Sequence, residues 1–465
     1  MAVKNLFIKY FPFILIIVTF ILYSSLGGPI TGDGEVRFQS LMNLLSTGHF
    51  DNSKYSFIMP IFSIPFVLLD SLIGFFTHNN HHFFAKRFNL FLLFSSFIPL
   101  YFLLKKFLSQ NKIQVFFLFI LFSNMISGNI FNYYGEMFTI VTTTIGIILL
   151  INPLNNKYSN LITYLILAIA TANSPAVIIG LLLVSLLKVY ETKQYRHLLM
   201  VVLAGLIIIA EDLLRRQGQS GYEGDGIHFV TSILPNTAVS GFNYPFFFGF
   251  ISIIFSFGKG LIFHFPMLVM LPVFIFLIKG KNENETIENK ILNENIFFKK
   301  FLLYSLLYTF GLILVYSKWW AWYGGWIWGP RFFAYLSLPM AALSCYFIFY
   351  LPKKFIYTTV FLFLSLISFW VSFNGLSFWG QAQDQLKICQ SYQYEFLCWY
   401  TPQFSALWNP FVSSSHYRLN SPNLTVLILH IIAFIYLFKD HIIIFYKSSV
   451  VFLQKFSKDI KLFKF

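Results

Sequence analysis

Two carboxylates two residues apart, Asp33 and Glu35, follow the first apolar stretch of the chain, and a single arginine, Arg331, follows a Gly-Pro pair far downstream. A carboxylate is ionised at neutral pH and can take the proton of an incoming hydroxyl as negative charge moves onto a leaving group. A guanidinium presents a planar fork of donors that matches two phosphate oxygens. These residue types suit transfer of a group from a phosphate to an alcohol, with Asp33 as base and Arg331 holding the phosphate. Glu35 could orient the acceptor, or share a divalent cation with Asp33, since two neighbouring carboxylates can bind a hard metal. Each has a plainer reading. Asp33 stands where the cap of a helix beginning at Gly34 would stand, and Glu35 is a favourable charge in a first helical turn. Arg331, just after a proline suited to a first helical position, could simply reach from a helix end to water.

Other residues extend the candidate set. Lys259, between two glycines, could be a second phosphate contact, and Arg87, beside Lys86, a further one, although charges flanking an apolar run usually anchor it. The run 319–328 carries Trp322 and Tyr323, whose rings could stack on a sugar or line a lipid groove, or form the aromatic belt common at membrane interfaces. Tyr133, Tyr134 and Glu136 could bind acceptor hydroxyls. His78, His81 and His82 lack the framework of a zinc site. The chain has no glycine-rich phosphate loop and no HExxH.

These residues must be held by apolar elements. The chain is 57% hydrophobic, 21% aromatic and only 11% charged, with a mean hydropathy of +0.68, against about 25% charged residues in soluble domains. That composition marks an integral membrane protein. The formal charge of +15 sits in short clusters between apolar runs, as membrane-flanking residues do, and argues against a nucleic-acid partner. Of the cysteines, Cys345 lies in an apolar run, whereas Cys389 and Cys398 share one late polar interval and could pair in an oxidising compartment.

Apolar runs predict twelve transmembrane helices near 7–26, 88–104, 113–128, 137–151, 160–173, 175–189, 197–213, 261–279, 301–317, 331–351, 355–372 and 424–446. The stretch 57–76 is long enough to cross but contains Pro60, Pro65 and Asp70. Leaving it on the outer leaflet places about twice as many basic residues inside as outside, and letting it cross reverses that ratio, so the positive-inside rule favours the first arrangement. Both termini are then cytoplasmic, and 27–87, 214–260 and 373–423 face outward. Phe38, Leu41, Met42 and Leu45 recur at helical spacing opposite Glu35, Gln39, Asn43 and Ser46, which predicts an amphipathic helix on the membrane surface, ended by Gly48. The polar run 280–296 reads as a cytoplasmic connector, and 447–465 as a separate basic amphipathic tail on the inner leaflet. The expected fold is an all-α polytopic membrane protein with residues 1–446 as one transmembrane unit, its large first outer loop carrying juxtamembrane helices. Glu136, Glu211, Asp212 and Arg331 sit at expected outer ends, so the polar chemistry gathers on one side.

A polytopic chain with a D-x-E turn at Asp33 and Glu35, an amphipathic helix leading to Tyr55, Met59 and Pro60, an apolar juxtamembrane helix and a return at Lys86-Arg87 resembles the polyprenyl-phosphate-dependent glycosyltransferases with the C-type membrane fold. Protein O-mannosyltransferases and the aminoarabinose transferases of lipid A are relatives of that kind. Phe257-Gly258-Lys259-Gly260-Leu261 leading to Pro266, and Trp319 to Trp326 followed by Gly329-Pro330-Arg331, are similar to segments of bacterial members. The resemblance spans most of 7–350 and adds nothing after 373. The histidine that often precedes the Pro-rich turn in protein mannosyltransferases is absent. What the resemblance implies is inverting transfer of a sugar from a polyprenyl-phosphate donor to a glycan, lipid or protein acceptor, at the extracytoplasmic face of a bacterial inner membrane. A flippase or exporter of lipid-linked glycans is the alternative from another class, although it needs a basic cavity within the spans. A noncatalytic membrane scaffold is the third.

Overall fold

The computed structural model describes residues 2–27, 30–77, 82–216, 241–279, 289–325, 327–378, 389, 394–413 and 419–462. Every regular element among them is helical, as expected where apolar runs must satisfy their backbone groups internally. Seven helices are long and apolar enough to cross a membrane: Ile58–Phe75, Pro175–Thr192, Tyr195–Arg216, Asn293–Tyr316, Arg331–Tyr350, Phe355–Ser377 and Ser421–Val451. Shorter apolar helices include Tyr10–Ser25, Phe88–Leu104, Gln110–Phe122, Gly135–Ile151, Ser159–Asn173 and Pro266–Ile278. The fold is thus compatible with a polytopic membrane protein.

Local chemistry explains where the apolar runs break. The run 113–128 does not continue as one helix, because the Asn124 amide donates back to the carbonyls of Phe119 and Ile120 and its oxygen caps the Ile126 N–H at 2.8 Å. Pro266 divides 261–279 into a short helix, a 3-10 turn and the helix Leu271–Lys279. Within Ile58–Thr77, Asp70 is buried. Its carboxylate accepts the N–H groups of Phe84 at 2.8 Å and Ala85 at 2.7 Å, capping the short helix Phe83–Lys86. The helix Ile58–Thr77 was expected to lie on the outer leaflet, yet by length and composition its stretch Ile58–Phe75 can cross.

The most enclosed of these seven long helices is Arg331–Tyr350, packed among Gln110–Phe122, Gly135–Ile151 and Asn289–Tyr316. Helices approach closely where glycines leave room: a Cβ on Gly180 would stand 2.0 Å from the Tyr308 carbonyl oxygen, the small-residue contact that tightens helix pairs when solvent offers no hydrophobic drive.

Two expectations are corrected. The C-terminal segment forms one continuous helix, Ser421–Leu462, with no break near 446, because no glycine or proline interrupts it after Pro422. The helix Asp33–Thr47 starts at Asp33 with Gly32 as its N-cap, so Asp33 is a first-turn residue and not the cap. Gly34, Arg37, Ser40 and Leu41 are buried; Phe38 and Met42 of the expected apolar stripe pack with Leu41 against Ile64, Val67 and Ala85, and Leu45 is 41% exposed. Arg37 reaches the Ser56 carbonyl and Gly34 lies against the Tyr133 backbone. Gly48 ends the helix in a left-handed conformation, as its type suggests.

Candidate functional site

The starts of three helices, Asp33–Thr47, Gly135–Ile151 and Arg331–Leu336, converge at Asp33. Gly32 at φ 60° and ψ −135° occupies backbone space essentially reserved for glycine, and its carbonyl accepts the N–H groups of Glu35 and Val36. That turn aims the Asp33 carboxylate at Arg331, whose Nη2 donates to Asp33 Oδ2. The Arg331 side chain is 8% exposed and that of Asp33 29%. Arg331 is fixed from several directions. Its Nε donates to the Gly324 carbonyl at 2.8 Å and lies 3.8 Å from Glu136 Oε1. The guanidinium carbon lies 4.9 Å from the Tyr134 ring centroid and 5.1 Å from that of Phe332, and Phe332 stacks on Tyr316 at 4.4 Å.

The segment 53–59 closes the other side. Its backbone is pinned to the bundle: Glu211 accepts the Phe57 N–H at 2.5 Å and the Ser56 hydroxyl at 3.1 Å, Arg215 donates to the Ser53 carbonyl at 2.8 Å, and Asn173 accepts the Met59 N–H at 3.0 Å. Arg37 donates to the Ser56 carbonyl at 3.0 Å and lies 4.8 Å from the Tyr55 ring centroid. Tyr55 is thereby held near Asp33.

Charge follows from this geometry. Burial pushes the Asp33 carboxyl up. The Arg331 charge, hydrogen bonds from Tyr55 and Arg331, and the Lys54 charge outweigh it and hold Asp33 below the usual carboxylate range. Burial first, then the Asp33 charge, raise the Tyr55 phenol, which keeps its proton as a donor. The corner is therefore an ionised carboxylate against a fixed guanidinium, with a neutral phenol nearby.

No protein-family model, curated protein or solved structure matches this chain. The chemistry of the corner therefore follows from its own side chains.

Asp33, Arg331 and Glu136 come together; other expected site residues do not join them as expected. Lys259, read as a phosphate contact, is 3% exposed and donates to the carbonyls of Gly325, Ile327 and Gly329. Burial and then the Arg331 charge push its ammonium well below the ordinary lysine value; the three carbonyls, one for each ammonium hydrogen, oppose that shift. It acts on the loop before Arg331, where Gly324, Gly325 and Gly329 all have positive φ. Arg87 donates to the Ser24 carbonyl at 2.6 Å and the Phe83 carbonyl at 3.2 Å, tying the first helix to the return segment. Tyr133 is buried, with its hydroxyl bonded to Ser63. Trp322 and Tyr323 are buried too, Tyr323 stacking on Trp399 at 4.6 Å.

Glu35 is exposed and accepts from Gln39 at 3.3 Å. Two residues apart on a helix lie about 200° apart around its axis, and the Asp33 carboxylate already has Arg331 and Tyr55. The two carboxylates do not fit a shared cation. His78 and His81 lie outside the described residues, and His82 packs edge-on against Phe38. Cys389 and Cys398 form a disulfide, and Cys345 is a buried free thiol.

Sequence reasoning missed Arg37, and gave Tyr55 no role in the chemistry. Arg37 was detectable as a lone cation one helical turn after Asp33, beside an otherwise apolar stripe. Tyr55 was named only as part of the stretch that carries the resemblance, because its place beside Asp33 depends on Glu211 and Asn173, distant in the chain.

Proposed function

We propose that this protein is an integral membrane glycosyltransferase that moves a sugar from a polyprenyl-phosphate donor to an acceptor hydroxyl outside the cytoplasm. The observation that carries the reading is the contact between Asp33 and Arg331 at the meeting of several helix ends. In the proposed step the acceptor oxygen attacks the anomeric carbon and its proton passes to Asp33. The bond from that carbon to the phosphate oxygen breaks, and the polyprenyl phosphate leaves with its charge held by Arg331. Inversion by direct displacement comes from the family resemblance. Glu136 orients Arg331, and Tyr55 steadies the ionised Asp33.

The Cys389–Cys398 disulfide supports placing 373–423 in an oxidising compartment. The same interval supplies Trp399, which stacks on the loop leading to Arg331, and this supports assigning the corner to that side. A bacterial inner membrane with the site facing outward fits this arrangement.

The test is incubation of the full chain, reconstituted in lipid nanodiscs, with a panel of polyprenyl-phosphate sugars and candidate acceptors. Donor-dependent transfer or slow donor hydrolysis, lost in Asp33→Asn while expression and a cooperative melting transition are retained, supports the reading. Movement of an intact lipid-linked glycan between leaflets without bond cleavage would assign a flippase instead, and an Asp33→Asn variant with the wild-type transfer rate would remove Asp33 as the base.

A further inference from the structure

We infer that the Asp33–Arg331 pair is a lock opened by the donor: the lipid phosphate replaces the Asp33 carboxylate on the Arg331 guanidinium, and only then is Asp33 released toward an acceptor. The inference rests on the proposed function and adds its order, donor before acceptor.

The two partners differ in how firmly they are held. Arg331 is buried, bound to the Gly324 carbonyl, beside Glu136 and flanked by Tyr134 and Phe332. Moving it would disturb a loop that Lys259 pins through the Gly325, Ile327 and Gly329 carbonyls. Asp33 is the first residue of its helix, follows a glycine turn and keeps a part-exposed side chain. The Tyr55 phenol and the charge of Lys54 lie nearby. The carboxylate can therefore leave Arg331 without becoming a lone buried charge, whereas Arg331 has no comparable retreat.

The Arg331 Nε is taken by the Gly324 carbonyl and an Nη2 hydrogen by Asp33 Oδ2, and the guanidinium already faces the carboxylates of Asp33 and Glu136. A lipid phosphate arriving at the remaining N–H groups brings a further negative charge and several acceptor oxygens to the same cation, and repulsion between the anions sets carboxylate and phosphate in competition. With no donor bound the base is tied up, and an acceptor arriving first meets a carboxylate already committed to Arg331. Donor binding both fills the phosphate position and frees the base, which ties proton removal to the presence of a leaving group.

The experiment uses the reconstituted full chain and a polyprenyl monophosphate as probe, with binding followed by tryptophan fluorescence and by native mass spectrometry. Removing the internal competitor should tighten binding: Asp33→Asn is expected to lower the probe Kd by about tenfold, about 1.4 kcal/mol. Glu35→Gln, which removes a nearby exposed charge, should leave it unchanged, and Arg331→Gln should abolish binding. A wild-type measurement covers the case in which Asp33→Asn misfolds: carbodiimide labelling of Asp33, read by peptide mass spectrometry, should rise severalfold when the probe saturates the protein. An unchanged or weaker Kd in a folded Asp33→Asn variant, or Asp33 labelling that stays level or falls, overturns the exchange and leaves the proposed transferase standing. No probe binding to the wild type at all overturns both.

Discussion

Asp33 and Arg331 lie 298 positions apart in the chain and form a hydrogen-bonded ion pair. Arg331 also faces Glu136, so one guanidinium offsets two carboxylates from two other helix starts. Such a pair is expensive to break by halves, because the surviving charge stays in a poorly solvated place.

Arg331→Gln should therefore act twice. Turnover is expected to fall by about a hundredfold or more, the scale for removing a donor aimed at developing charge. Stability should fall by up to about 3 kcal/mol as Asp33 and Glu136 lose their common partner. Arg331→Lys keeps the charge without the fork, so it should restore most of the melting temperature and little of the rate. Melting curves and initial rates on the two variants separate these effects; equal recovery of both by lysine would mean that the fork geometry is irrelevant.

A pH titration has a definite sign. The groups around Asp33 are Arg331, Tyr55 and Lys54, with Glu136 and Tyr134 on the far side of Arg331. Since the folded value is lowered, the pair's contribution to stability is complete above the unfolded aspartate value of about 3.9 and is lost as pH falls through the folded one. The melting temperature of the wild type minus that of Asp33→Asn should be flat from neutral pH to about 5 and shrink below about 4. A difference that holds constant to the lowest pH tested would show that Asp33 is not held ionised by these partners. The lock adds a kinetic consequence: once phosphate takes Arg331, Asp33 loses a strong downward pull. The acid limb of kcat should then lie at higher pH than that of kcat/KM.

Much of this corner was legible in the residues, and the reasons for the misses are physical. The positions of the helices follow from apolar runs, and the meeting of Asp33 with Arg331 follows from placing both at the same end of the bundle. Lys259 was misread because a lysine satisfied by backbone carbonyls and one awaiting a phosphate look identical in sequence; only the fold of 324–329 around it distinguishes them. Trp322 and Tyr323 were open to a sugar, a lipid groove or an interfacial belt, because their cover comes from 395–400, an interval without recognisable motifs, whose Trp399 and Tyr400 pack over them. The burial of Arg37 on the helix Asp33–Thr47 depends on Ser56 and Tyr55, partners outside the helix's own periodicity.

Lys259→Met tests the reassignment. Deleting the ammonium leaves the Gly325, Ile327 and Gly329 carbonyls short of a donor in a buried place, at a cost of about 1–3 kcal/mol. The variant should melt several degrees lower and lose kcat as Arg331 loosens, with donor KM little changed. Unaltered melting together with a raised donor KM would return Lys259 to the role of phosphate ligand.

The disulfide should matter for the same loop. Cys389 and Cys398 are nine positions apart, and closing a loop of that size stabilises by about 2–3 kcal/mol. The closed segment precedes Trp399, which lies 5.0 Å from Lys259 Nζ and whose carbonyl accepts the Gly258 N–H at 2.8 Å. Reduction, or Cys389→Ser with Cys398→Ser, should lower the melting temperature and the transfer rate together. Thiol counting should find Cys345 alone, and only after denaturation; two further reactive thiols in the untreated native protein would contradict the pairing.

Gly32→Ala isolates the turn that aims Asp33. An alanine Cβ there would meet only the Tyr134 hydroxyl, at 3.5 Å, which is ordinary contact. The difficulty is conformational, because φ 60° with ψ −135° costs a non-glycine residue about 1–3 kcal/mol. The chain can carry that strain or relieve it by shifting the turn, and relief swings Asp33 away from Arg331. The expected outcome is a lower melting temperature with at least about a tenfold fall in kcat/KM, equivalent to 1.4 kcal/mol of lost transition-state stabilisation. Gly48→Ala is the matched control, since Gly48 ends the same helix at φ 74° with nothing within 4 Å of a Cβ. It should cost comparable stability and leave the rate alone, because relaxation at that end moves no residue of the corner. If both alanines slow the reaction alike, helix stability as a whole, and not the direction in which Gly32 points Asp33, governs the rate.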